Sequence, residues 1–247
     1  MLEILRRSTI APSLPRVDPA LATYVRQVTA LAAKDVRSEL RSRQVLSTTV
    51  VFALMILVVF NFAFDFGRAE MDRLAPAMLW VAITLAAVLG LNHVFGKEKE
   101  QAALEGLLLC PVDRSAIYFG KLLGALAFTM AMEAAVLPIF VAFTDQAVFS
   151  AGPLLALLLG TVGFLAVGTL FAAISSNTKT REILLPVLLF PIATPILVAG
   201  VEVTSMGLSG EPFGELAGWL GLLAAFDLVF LVLCPMLFDH LVDELGP

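Results

Sequence analysis

Charge is scarce along most of this chain: Asp, Glu, Lys and Arg together make up 15% of 247 residues, and apolar residues make up 59%. A mean hydropathy of +0.93 excludes an ordinary water-soluble domain. Cysteine is nearly absent too. Cys110 and Cys234 fall in no CxxC or Cys/His metal spacing, so neither a disulfide framework nor a Cys-rich metal site is expected. There is no GxxxxGK[ST] loop to cradle a phosphate, no HExxH, no Ser/His/Asp array and no pair of catalytic carboxylates. Intrinsic enzymatic activity, a resident metal and a directly bound cofactor are therefore not expected, and nucleic acid is not an expected partner. The N-terminal stretch is polar and carries Pro12, Pro15 and Pro19. It lacks the apolar core of a cleaved signal peptide.

What is present is six apolar runs. Between Arg43 and Asp65 lie 21 uncharged residues, and between Arg73 and Lys97 lie 23. A hydrocarbon core of about 30 Å needs about 20 apolar residues of helix. Spans are expected near Gln44–Phe64, Leu74–Phe95, Leu122–Phe143, Leu154–Ile174, Ile183–Val201 and Leu216–Phe238. The expected fold is an all-α membrane protein, with residues 1–43 forming a tail and an amphipathic helix and residues 44–247 a six-helix transmembrane domain. In residues 20–43, Leu21, Tyr24, Val25, Val28, Leu31, Ala32, Val36 and Leu40 recur at helical spacing, with Arg26, Lys34, Asp35, Arg37, Glu39 and Arg41 mostly opposite. Such a helix can lie in the headgroup plane; the plainer alternative is a charged juxtamembrane linker.

Lys and Arg number eight in residues 1–43, four in 97–121 and two in 175–182, against two in 65–73 and none in 144–152 or 202–215. Fourteen against two predicts the N-terminus in the cytosol, and an even number of spans returns the C-terminus there; a bacterial inner membrane agrees with this topology.

The connection between spans two and three, Gly96–Leu123, carries the most information. Lys97–Leu109 is rich in helix formers, and Glu100, Ala103, Leu104, Leu107 and Leu108 share a face. Pro111 stops this helix, and Asp113 or Ser115 can cap the next. The exposed helix is either a docking surface for a partner or a helix lying flat on the membrane. Glu133 and Asp227 are ionisable residues near mid-span, so they should face the bundle interior. They are either part of a substrate path or structural hydrogen-bonding groups. His93 and His240 read as polar end groups of spans rather than haem ligands. Trp80 and Trp219 read as interfacial anchors. Gly160, Gly163 and Gly168 permit close helix packing. Pro186, Pro191 and Pro195 imply that span five is kinked or broken.

This layout resembles an ABC-2-type transporter permease. Two blocks, KEKEQAALEGLLLCPVDRSAIYFGKLL and REILLPVLLFPIATPILVAGVE, resemble the haem exporter protein B family of cytochrome c maturation permeases. Gln101, Ala102 and Ala103 depart from the D-G-T that the family tends to carry before its leucine run. The resemblance implies a transporter membrane subunit, present as a homodimer or heteromer. It implies a separate ATP-binding cassette partner, further Ccm membrane proteins and a haem chaperone, with haem as a transported or handled ligand. It makes Lys97–Leu109 a coupling helix, with Glu98, Glu100, Leu104, Glu105, Leu107 and Leu108 contacting the ATPase. An ABC-2 permease for a lipid, drug or polysaccharide, a non-transporting assembly scaffold and a proton-driven secondary transporter are the competing expectations.

Overall fold

A computed structural model describes residues 19–42, 44–63, 68–100, 112–146, 148–176 and 181–245. Among them are seven helices: α1 (Pro19–Ser42), α2 (Gln44–Ala63), α3 (Arg68–Glu100), α4 (Arg114–Thr144), α5 (Ala151–Ser176), α6 (Arg181–Leu208) and α7 (Phe213–Leu245). The last six are each long and apolar enough to cross a membrane. This is the helical, multi-pass membrane architecture expected from the uncharged runs.

The helices are buried unequally. In α3 and α5, 72% and 67% of the most apolar stretch is buried, against 22% in α2 and 28% in α7. Helix α5 packs on α3, α4, α6 and α7 and is the axis of the bundle. Its composition explains why: small residues at Gly160, Gly163 and Gly168 admit side chains from its neighbours. Trp80 of α3 lies over Gly160, Asp227 of α7 over Gly163 and Leu91 of α3 over Gly168. In lipid, where burial of apolar surface between helices gains little, such close approach is the main source of helix association.

The interior is built in two apolar layers. One gathers Leu57, Met78, Leu79, Trp80, Met132, Phe140, Leu157, Ile196 and Leu223. The other gathers Leu91, Ile117, Tyr118, Leu122, Phe164, Leu165, Leu185, Leu189 and Phe238, at the end of the bundle that carries the α3–α4 connection.

Trp80 does not anchor the chain at an interface. It is 2% exposed, its ring fills the space left by Gly160 and Gly200, and its Nε1–H donates to Thr204 Oγ1 at 3.0 Å. A buried indole needs a partner for its one donor, and Thr204 supplies it. Trp219, by contrast, is 37% exposed in the second turn of α7, where an anchor belongs.

Helix α6 is continuous through Pro186, Pro191 and Pro195. The span is therefore not broken. Pro191 and Pro195 lie on the exposed face, and Pro186 turns toward α3. Helix α4 likewise runs through Pro138 and begins eight residues before the expected span start at Leu122.

Candidate functional site

The first two turns of α4 are tied to three other helices. Asp113 caps α4, accepting from Ser115 N at 2.9 Å and from Ser115 Oγ at 2.7 Å. Ser115 Oγ also meets the Tyr24 hydroxyl of α1 at 3.0 Å. Arg114 reaches Asp239 of α7 at 3.4 Å, an exposed contact of little energetic weight. Tyr118 is fully buried, donates to the Ala166 carbonyl of α5 at 2.8 Å and packs its ring against Phe238 of α7. One turn on, Lys121 Nζ donates to Asp35 Oδ2 of α1 at 2.8 Å. These ties follow directly on the connection expected to act as the coupling element.

The expected coupling residues themselves divide. Glu98 and Glu100 fall in the last turn of α3. Leu104, Glu105, Leu107 and Leu108 lie outside the described residues.

The helix over 19–42 forms as its periodicity predicts, but its faces differ from those the spacing implies. Asp35, on the polar side by spacing, is buried against α4, while Leu21 and Val25 of the apolar stripe are 55% and 51% exposed. The reason is Lys121. In the sequence it reads as a loop charge, but α4 starts early enough to carry it into the bundle, where only a carboxylate can balance it. No residue spacing within α1 signals this; the signal is a lysine one residue before an apolar run.

Glu133 and Asp227 both face inward, at the junction of the two apolar layers, and both are 6% exposed. Thr161 of α5 donates to Glu133 Oε1 at 2.5 Å. Asp227 Oδ1 lies against Gly163 with no hydrogen-bond partner. The two carboxylates are not brought together. Thr161 and Gly163 are two residues apart, so they point to nearly opposite sides of α5. Glu133 belongs to the α4–α5 seam and Asp227 to the α5–α7 seam.

The Asp227 seam yields a direct test. A buried carboxylate oxygen without a donor costs stability, so Asp227→Leu should leave the thermal midpoint unchanged or raise it by a few degrees. If Asp227 serves transport, activity should fall at least tenfold in the same protein. Unchanged activity in a folded Asp227→Leu chain would leave Asp227 as a packing residue.

A cleft of about 550 Å³ opens between α2, α3 and α6, lined by Phe52, Leu85, Val88, Leu89, Pro186 and Phe190, with Asn92 and His93 at one end. His240 Nδ1 contacts the Met236 carbonyl within its own helix. Among the described residues no group of three or more His, Cys, Asp or Glu is placed to hold a metal ion. Cys234 is a buried free thiol, while Cys110 lies outside the described residues.

Comparison with known proteins agrees with this layout. Heme exporter protein B of Pseudomonas aeruginosa is 28% identical over 199 residues, covering 80% of this chain and 89% of that protein. Heme exporter protein B of Bradyrhizobium diazoefficiens is 30% identical over 216 residues, covering 84% and 93%. The protein of that name from Rhodobacter capsulatus is 27% identical over 194 residues, covering 76% and 89%. The family model described as CcmB protein matches residues 26–243, from inside α1 through nearly all of α7, and the chain belongs to the CcmB family.

Proposed function

We propose that this chain is the membrane subunit of an ABC-type haem export system serving cytochrome c maturation, coupling ATP hydrolysis on a partner to export of haem or release of a haem-loaded chaperone. The observation that carries this reading is the family match across 26–243, which spans every membrane helix. The architecture supports it in two ways. The chain carries no phosphate-binding loop of its own, which fits ATP hydrolysis on a separate protein. The α3–α4 connection leads directly into a helix start bonded to α1, α5 and α7, which is where an external pull would be distributed.

The segment Lys97–Leu109 is the coupling element in this reading, with both termini on the cytosolic face of the inner membrane. Two permease subunits, two copies of this chain or one copy with a relative, complete the transporter. Closure of the ATPase pulls the coupling helix, and α3 and α4 carry the motion into the bundle.

The test is purification of the tagged chain from its native host in mild detergent, with partners identified by mass spectrometry. In parallel, haem staining of c-type cytochromes follows deletion of the chain. Co-purification of an ATP-binding subunit with other Ccm proteins, and loss of c-type cytochromes on deletion, are the expected results. An ATPase without Ccm proteins, and undiminished c-type cytochromes, would overturn the haem assignment. Absence of any ATPase from a folded sample would overturn the coupling mechanism.

A further inference from the structure

Lys121 is the most deeply buried cation among the described side chains, 2% exposed at its side chain. Its carboxylate partner, Asp35, is 10% exposed at its side chain and comes from a different helix. On the outer side, Lys34 Nζ stands 3.3 Å from Asp35 Oδ1 and is 50% exposed. Burying an ion pair is an expensive way to hold two helices together. Well-packed apolar residues of the same size do it as well or better, and the recurrent use of such pairs is to set register.

Few apolar side chains of α1 are deeply buried: Val28, 7% exposed, is the only one in the core among the described side chains, with Leu31 partly buried beside it. The helices nevertheless come close. A Cβ on Gly120 would sit 2.6 Å from Leu31 Cβ, and one on Gly124 would sit 3.0 Å from Asp35 Cβ. As α1 advances from Tyr24 through Leu31 to Asp35, its partners on α4 advance from Ser115 through Gly120 to Gly124. The two helices therefore run in the same sense. They are pinned at two points, Tyr24–Ser115 at one end of the seam and Asp35–Lys121 at the other. Two polar pins along a smooth glycine seam fix both sliding and rotation, which apolar contact alone would leave soft. Although α1 precedes α2 in the chain, it packs chiefly on α4.

We infer that Asp35 and Lys121 are positioning residues that make α1 and the start of α4 a single moving body, so that displacement of the coupling segment is delivered to α1 together with α4. This rests on the coupling mechanism given under Proposed function and adds to it a second output. The helix before the first span rides with the helix after the coupling segment, and the α1–α2 junction takes up the difference.

The experiment uses the full-length chain assembled with its ATPase in lipid nanodiscs. Four forms are compared with the wild type: Asp35→Asn, Lys121→Met, the apolar pair Asp35→Leu with Lys121→Met, and the reversed pair Asp35→Lys with Lys121→Asp. Amide hydrogen exchange over residues 24–38 reports docking of α1. Stimulation of ATP hydrolysis by the assembled permease reports coupling. Asp35→Asn is expected to raise exchange in α1 at least tenfold and to lower coupling at least fivefold. The reversed pair should recover more than half of both. The apolar pair guards against misfolding, because it leaves no buried charge alone; in it, too, coupling should follow α1 protection. Loss of α1 protection with coupling within twofold of wild type would overturn the inference. So would a fivefold loss of coupling while α1 stays as protected as in wild type. A wild-type chain that stimulates no ATPase overturns the coupling mechanism itself, an outcome distinct from a wild type that couples and variants that do not track.

Discussion

Replacing Trp80 by alanine is expected to lower the thermal midpoint of the purified chain by roughly 10 °C. Large-to-small substitution of a buried aromatic costs about 3–5 kcal/mol, and each kcal/mol shifts the midpoint of a chain of this size by about 2–4 °C. The upper part of that range applies because the ring is shared. It packs on Gly160 of α5 and Gly200 of α6 while belonging to α3, so its removal opens three helix pairs at once. Neither glycine has a side chain with which to close the gap. Thr204→Val is the control. It removes the acceptor of the 3.0 Å indole hydrogen bond together with the hydroxyl's own 2.7 Å bond to the Gly200 carbonyl, leaves a buried N–H unpaired at a cost of about 1–3 kcal/mol, and should shift the midpoint by less than Trp80→Ala does. A Trp80→Ala shift no larger than that of Thr204→Val would show that the seam does not depend on the ring.

Replacing Leu104 or Leu108 by aspartate is expected to weaken association with the ATPase at least 100-fold and to abolish coupled activity. An apolar anchor at the centre of an interface is worth about 2 kcal/mol or more, and a carboxylate in its place adds a desolvation cost of similar size. A 100-fold loss corresponds to about 2.7 kcal/mol, within that sum. Both positions precede the cap at Asp113, so the bundle itself should fold normally and its thermal midpoint should not move. Titration of the ATPase against nanodisc-embedded chain measures the first effect. Retention of wild-type affinity and coupling by a folded Leu104→Asp or Leu108→Asp chain would remove Lys97–Leu109 from the mechanism.

The six spans are legible in the sequence because each is an apolar run of about the right length with at most one ionisable residue in it, and lipid leaves the backbone almost no alternative to helix. Their ends are less so. The expected third span begins at Leu122, since a charge normally ends a span; α4 begins at Arg114, where Asp113 caps it, and carries Lys121 inside against Asp35. A partner 86 residues away in sequence leaves no periodic signature. Trp80 misleads for a related reason. A tryptophan near a span end has two uses, and which applies depends on glycines in two other helices. The inward orientation of Glu133 and Asp227 is legible from the cost of charge in lipid, but their assignment to separate seams is not, because it depends on how α5 is rotated. In α6, three prolines argue for a break, yet the helix continues through all of them.

The Asp35–Lys121 pair also sets an order for biogenesis. Helix α1 leaves the ribosome 86 residues before its lysine does. At ordinary rates of synthesis that is a wait on the order of ten seconds. During that interval Asp35 has no α4 to receive it, and α1 must stay at the membrane surface while α2 and α3 insert. Chains cut short before α4 thus carry α1 without the helix it packs on, and Asp35 there is hydrated, with neighbouring Lys34 and not Lys121 as its cation.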